Sequence, residues 1–135
     1  MVKEIFVNLS VKDLKVAQDF FSKLGFGFNP DFTDERAACL VLGENIYAML
    51  LVEEFFKGFS KKDIPDTLKT AEVINALAVE SREKVDQIAE AALAAGGKFS
   101  SDPADHGWMY SRSFQDPDGH IWEVLYTDMA AFPKG

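Results

Sequence analysis

The feature that most constrains this chain is that it repeats itself: the order strand, helix and three strands can be read twice along 135 residues. In residues 4–11, Ile5, Val7, Leu9 and Val11 alternate with Phe6, Asn8 and Ser10, the period of a half-buried strand. Asp13 then stands where it can cap a helix over 14–24, with Leu14, Ala17, Phe20, Phe21 and Leu24 at spacings of three and four before Gly25 and Gly27. Short apolar runs follow at 27–29, 37–42 and 46–52, the last two separated by Gly43-Glu44-Asn45, a hairpin turn. From residue 71 the pattern returns. Val73, Leu77 and Val79 alternate with Ile74, Ala76 and Ala78, and Ser81 opens an Ala-rich helix that stops at Gly96-Gly97. Strands are predicted at 98–100, 108–114 and 120–126, with Asp116-Pro117-Asp118-Gly119 turning between the last two.

Superposing the halves pairs Ile5 with Val73, Leu9 with Leu77, Val11 with Val79 and Gly43 with Gly119, a duplicated βαβββ module. One such module leaves a sheet face uncovered. Two side by side, helices outside and concave faces together, complete the burial and enclose a cleft. The predicted fold class is therefore α+β, two tandem βαβββ modules forming a partly closed sheet. A single domain over 1–135 contains module 1 at about 1–53, a crossover at about 54–70 and module 2 at about 71–128.

Composition narrows the function. The hydrophobic fraction of 47% supports a core, and the net charge of -8 repels a phosphate backbone, so nucleic acid is not an expected partner. No apolar run approaches the roughly 20 residues of a membrane span, and the N-terminal stretch does not read as a targeting segment because Asn8, Ser10 and Lys12 break it. Cys39 is the only cysteine, which leaves no internal disulfide and points to a cytoplasmic home.

The duplication, the opening VNLSVKDL and the closing FQDPDGHIWEVLY together resemble the vicinal oxygen chelate superfamily, which includes glyoxalase I, extradiol dioxygenases, fosfomycin-resistance enzymes and bleomycin-binding proteins. Within it the chain is similar to bacterial proteins described as predicted lactoylglutathione lyases. The resemblance implies four metal-ligand positions, one near the start of each module's first strand and one on each last strand. Here the first-strand positions are Phe6 and Ile74, and the last-strand position of module 2 is Glu123, four residues past Gly119. Its counterpart four past Gly43 is Tyr47, or Met49 if the register slips by two. One carboxylate of four does not hold a divalent ion, since zinc sites of this type need about three protein ligands, so no metal and no cofactor is expected.

The predicted inward face carries Phe6, Asn8, Tyr47, Met49, Ile74 and Glu123, with Cys39, Trp108 and Tyr110 near its rim and Arg112 on the strand paired with that of Glu123. Such a lining suits a small aromatic or amphipathic molecule, although the same side chains would also serve simply to close a core. Glu123 reads as a relic ligand, as a catalytic base, or as a carboxylate satisfied by Arg112 or a tyrosine. His120, an odd number of residues from Glu123, should face the other way, and His106 lies in a loop. Cys39 among Ala38, Leu40 and Val41 reads as an apolar filler. Phe55, Phe56 and Phe59 fall on one side of the crossover helix and pack on their own domain, cover a site or meet a second copy. The expected function is metal-free binding of a small organic molecule by a homodimer. The alternatives are a lactoylglutathione-lyase-like lyase or isomerase using Glu123 as base or residual ligand, and a regulatory protein with a vestigial cleft.

Overall fold

The computed structural model describes residues 1–133 and divides the chain into two compact units, Met1–Asp66 and a second beginning at Thr67. The first contains β1 (Ile5–Val11), α1 (Leu14–Lys23), β2 (Gly27–Asn29), a 3-10 turn, β3 (Ala37–Gly43), β4 (Ile46–Val52) and α2 (Glu53–Ser60). The second contains β5 (Ile74–Ala78), α3 (Arg82–Ala94), β6 (Lys98–Phe99), β7 (Ala104–Asp105), β8 (Met109–Gln115) and β9 (Ile121–Thr127). The sheets run β1-β4-β3-β2 and β5-β9-β8-β6, β7 pairing with β8 off that path. The first strand of each unit lies parallel to the last and the hairpins are antiparallel. This is the predicted mixed α+β arrangement. Among the described residues no helix is long and apolar enough to cross a membrane.

The same local chemistry builds both units. Asp13 accepts the Val16 amide at 3.2 Å and Ser81 accepts that of Lys84 at 3.0 Å, so each helix starts on a side-chain cap two residues past its strand's end or nearly so. Each helix closes on the same backward bond, Phe26 N–H to the Phe21 carbonyl and Gly97 N–H to that of Ala92. Leu14, Ala17, Phe20 and Phe21 of α1 are buried with Leu9, Leu40, Ala48 and Leu50, while Val85, Ile88, Ala89 and Ala92 of α3 are buried with Phe114, Trp122 and Val124. Alternate strand residues thus enter the helix side of each sheet; the opposite side is called the far face below.

Register corrects one sequence expectation. Val41 pairs with Tyr47 and Gln115 with Ile121, so five residues lie between these paired positions in each hairpin. The counterpart of Gly119 is therefore Asn45, not Gly43. Both adopt left-handed backbone, φ 86° at Gly119 and 64° at Asn45, and asparagine is the commonest substitute for glycine in that region. Matching the two glycines by identity had put the hairpins two residues out of step. The second unit also holds a strand, β7, that the sequence did not announce, and β5 begins at Ile74 rather than at residue 71.

The Asp-Pro-Asp-Gly turn is fixed from inside. The Asp116 carboxylate accepts the amides of Asp118 and His120 at 2.9 and 3.0 Å and the Trp122 indole N–H at 3.0 Å. Burial pushes the Asp116 carboxyl above its ordinary range, while His120 and the Trp122 hydrogen bond pull the other way.

Candidate functional site

In the first unit the far face is read from the pairings Phe6 with Tyr47, Asn8 with Met49 and Met49 with Cys39. The rings of Phe6 and Tyr47 stack, centroids 4.8 Å apart and planes 15° apart. Phe6 is 43% exposed, whereas Cys39, Ser10, Ala37 and Leu51 on the same face are buried. Asn8 turns its amide back to the Phe6 carbonyl at 3.1 Å. Burial, and then the Glu4 carboxylate, raise both the Cys39 thiol and the Tyr47 phenol, so both stay protonated near neutral pH. Cys39 is the apolar filler expected of it.

In the second unit Ile74 pairs with Ile121 and Ala76 with Glu123, and Glu123 pairs across β8 with Ser113. Ile74 and Glu123 therefore share the far face, as the sequence parity predicts. Glu123 is half-buried, flanked along β9 by Ile121 and Leu125. Ser113 is engaged elsewhere, its hydroxyl 2.7 Å from that of Ser101 and accepting the Ser101 amide at 3.0 Å.

The register settles which module-1 residue answers to Glu123. Phe6 with Tyr47 matches Ile74 with Ile121, so Asn8 with Met49 matches Ala76 with Glu123. The four positions at which a metal ligand is implied are thus Phe6, Met49, Ile74 and Glu123. They do not fit a divalent ion: three are apolar or thioether side chains. Nor, among the described residues, do three or more His, Cys, Asp or Glu side chains gather anywhere with the makings of such a site.

Tyr110 and Arg112 lie where sequence reasoning did not put them. Arg112 pairs with Val124 and Tyr110 with Tyr126, on the α3 side of the sheet, and the residue opposite Glu123 is Ser113. The expected approach of Arg112 to Glu123 is therefore corrected. Arg112 instead meets Asp86 at 3.2 Å and Glu90 at 2.5 Å, and the Tyr110 hydroxyl donates to Asp86 at 2.5 Å. Arg82 lies over the Tyr110 ring, 4.5 Å from its centroid, and pairs with Asp105. The Tyr110 hydrogen bond, then Arg112, hold the Asp86 carboxyl below its usual range. The signal was present: Asp86 and Glu90, four apart on α3, offer two carboxylates to one guanidinium.

Trp108 precedes β8 and its ring meets Phe132 edge-on at 4.7 Å and His106 at 6.1 Å. His106 is exposed. His120 is part of the Asp116 turn through its amide. On α2, Phe55 and Phe59 meet edge-on at 4.9 Å, Arg36 lies over Phe55, and Phe59 is 68% exposed.

The family model of the Glyoxalase/Bleomycin resistance protein/Dioxygenase superfamily matches residues 5–124. A hypothetical protein from S. aureus is similar at 27% identity and a TM-score of 0.78, covering 93% of this chain and 94% of its own. A lactoylglutathione lyase from Agrobacterium tumefaciens shares the fold at 15% identity and a TM-score of 0.68, 96% of each chain being covered. A fosfomycin resistance protein from Mesorhizobium loti does so at 14% identity and 0.69, with 96% and 97% covered. None of the curated proteins matches the chain.

Proposed function

This chain belongs to the glyoxalase/bleomycin resistance protein/dioxygenase superfamily, and from that premise we propose that it binds small organic molecules without a metal ion, each unit offering the far face of its own sheet. The observation that carries the reading is the occupancy of the four implied ligand positions by Phe6, Met49, Ile74 and Glu123. A stacked Phe6–Tyr47 pair offers an aromatic platform, and Met49 beside it is a deformable thioether that adapts to ring-shaped ligands. Ile74, Ile121 and Leu125 extend apolar surface in the second unit around one carboxylate. Binding there draws its free energy from burying apolar area, with few polar groups setting orientation.

Homodimerisation and a cytoplasmic location complete the reading. β1 and β5 are the outermost strands of their sheets, and Ile5 and Ile74 on them are 53% and 60% exposed, an arrangement that a second copy would cover. A lone, buried cysteine suits a reducing compartment.

The test is a methyl-resolved NMR titration of the full chain with a panel of neutral aromatic compounds, read at the methyls of Met49, Ile74 and Ile121. Saturable shifts confined to these far-face methyls are expected. Shifts scattered over the surface, or none, contradict the proposal.

A second reading has one observation in its favour. Glu123 is half-buried on apolar surroundings and forms no ion pair with another described residue, which is what a general base for a metal-independent lyase or isomerase requires. Turnover lost in Glu123→Gln with ligand affinity retained would separate it from binding alone.

A further inference from the structure

We propose that the far face of the second unit is a subsite for an organic cation, a primary ammonium or guanidinium on an apolar body, with Glu123 as its counter-ion. The inference rests on the binding function above and specifies the ligand class for one of the two faces.

Comparison of the equivalent rows carries the argument. In the first unit the row is Asn8, Met49, Cys39 and in the second it is Ala76, Glu123, Ser113. The same fold position that holds a thioether in one unit holds a carboxylate in the other. Among the described residues, the neighbours of that carboxylate give it no charge partner. Ala76, directly across on β5, ends at its β-carbon, and Ser113, across on β8, is hydrogen-bonded to Ser101. The two arginines of the unit are held on the α3 side, Arg112 by Asp86 and Glu90 and Arg82 by Asp105. Lys98, on the same face through its pairing with Gln115, lies beyond β8 from Glu123 and forms no ion pair with it.

Charge and surroundings then select the ligand. Residues 67–135 hold eleven Asp and Glu against six Lys and Arg, a field that draws cations and repels anions. Ile74, Ile121 and Leu125 beside Glu123 lower the local dielectric, which strengthens a contact ion pair and gives an apolar body its own area to bury. A bare divalent ion would find one carboxylate and alkyl groups, a poor set for zinc, calcium or magnesium.

The test compares three compounds of one shape, 4-phenylbutylammonium, 4-phenylbutanol and 4-phenylbutyrate, by NMR titration of the full chain and of the variants Glu123→Gln and Ala76→Lys. In the unaltered chain the ammonium should bind at least about fivefold more tightly than the alcohol, and the carboxylate more weakly than either. Added salt should narrow that order. Glu123→Gln should bring ammonium and alcohol within about twofold of each other. Ala76→Lys, which places a built-in cation across from Glu123, should do the same by occupying the carboxylate. Equal binding of ammonium and alcohol in the unaltered chain, or an ammonium preference that survives both variants, overturns the cation subsite and leaves the binding function standing. Failure of all three compounds to bind overturns both.

Discussion

Gly119 is set against the backbone of Thr67 so closely that a β-carbon on it would lie 2.3 Å from the Thr67 carbonyl oxygen. The contact ties the start of the second unit to its hairpin, and the Thr67 hydroxyl donates to the Asp118 carbonyl at 2.5 Å to fasten it. Because the obstacle is backbone and φ is 86°, Gly119→Ala meets strain twice. It should destabilise the chain by at least about 2 kcal/mol in urea unfolding. Asn45→Gly, at the equivalent position of the first unit, should change stability by no more than about 0.5 kcal/mol. A loss at Asn45→Gly as large as that at Gly119→Ala would contradict the left-handed assignment at Asn45.

Asp116 holds the same hairpin from within, accepting from two backbone amides and the Trp122 indole. Asp116→Ala strands three donors in a buried place and should cost about 3 kcal/mol, whereas Asp116→Asn, which keeps one acceptor oxygen, should cost less. Circular dichroism melts of the two variants give the comparison; equal melting temperatures would mean the carboxylate does not organise the turn.

The α3 side of the second sheet predicts a pH effect. Asp86 titrates below its usual range because of Tyr110 and then Arg112. Its folded value lies below its unfolded one, so its contribution is complete above the unfolded value and is lost as pH falls through the folded value. The Asp86 side chain is 51% exposed, and solvent screening limits the contribution to about 1 kcal/mol or less. Asp86→Asn should therefore be less stable than the unaltered chain at neutral pH and approach it in strong acid. A gap that is the same at both extremes would contradict this assignment.

What was legible in the sequence is what period and caps encode. The alternation through Val7, Leu9 and Val11, the spacing of Ala17, Phe20 and Phe21, and the cap residues Asp13 and Ser81 gave both units their elements. Position across a hairpin was not legible in the same way, because it depends on turn length and on which residue takes left-handed backbone. Matching Gly43 with Gly119 by identity missed Asn45, and the choice between Tyr47 and Met49 stayed open until the pairing of Asn8 with Met49 decided it. Arg112 was placed beside Glu123 on strand adjacency alone. Its parity with the buried Phe114 assigns it to the helix side, where α3 supplies its carboxylates. The two-residue β7 has no period to detect.

The metal content of the purified protein tests the central claim most directly. With Phe6, Met49 and Ile74 at three of the four implied ligand positions, elemental analysis after extensive dialysis should find far less than one transition-metal ion per chain, and zinc added in calorimetry should show no stoichiometric site. One tightly held zinc or nickel per chain, lost in Glu123→Ala, would contradict the account.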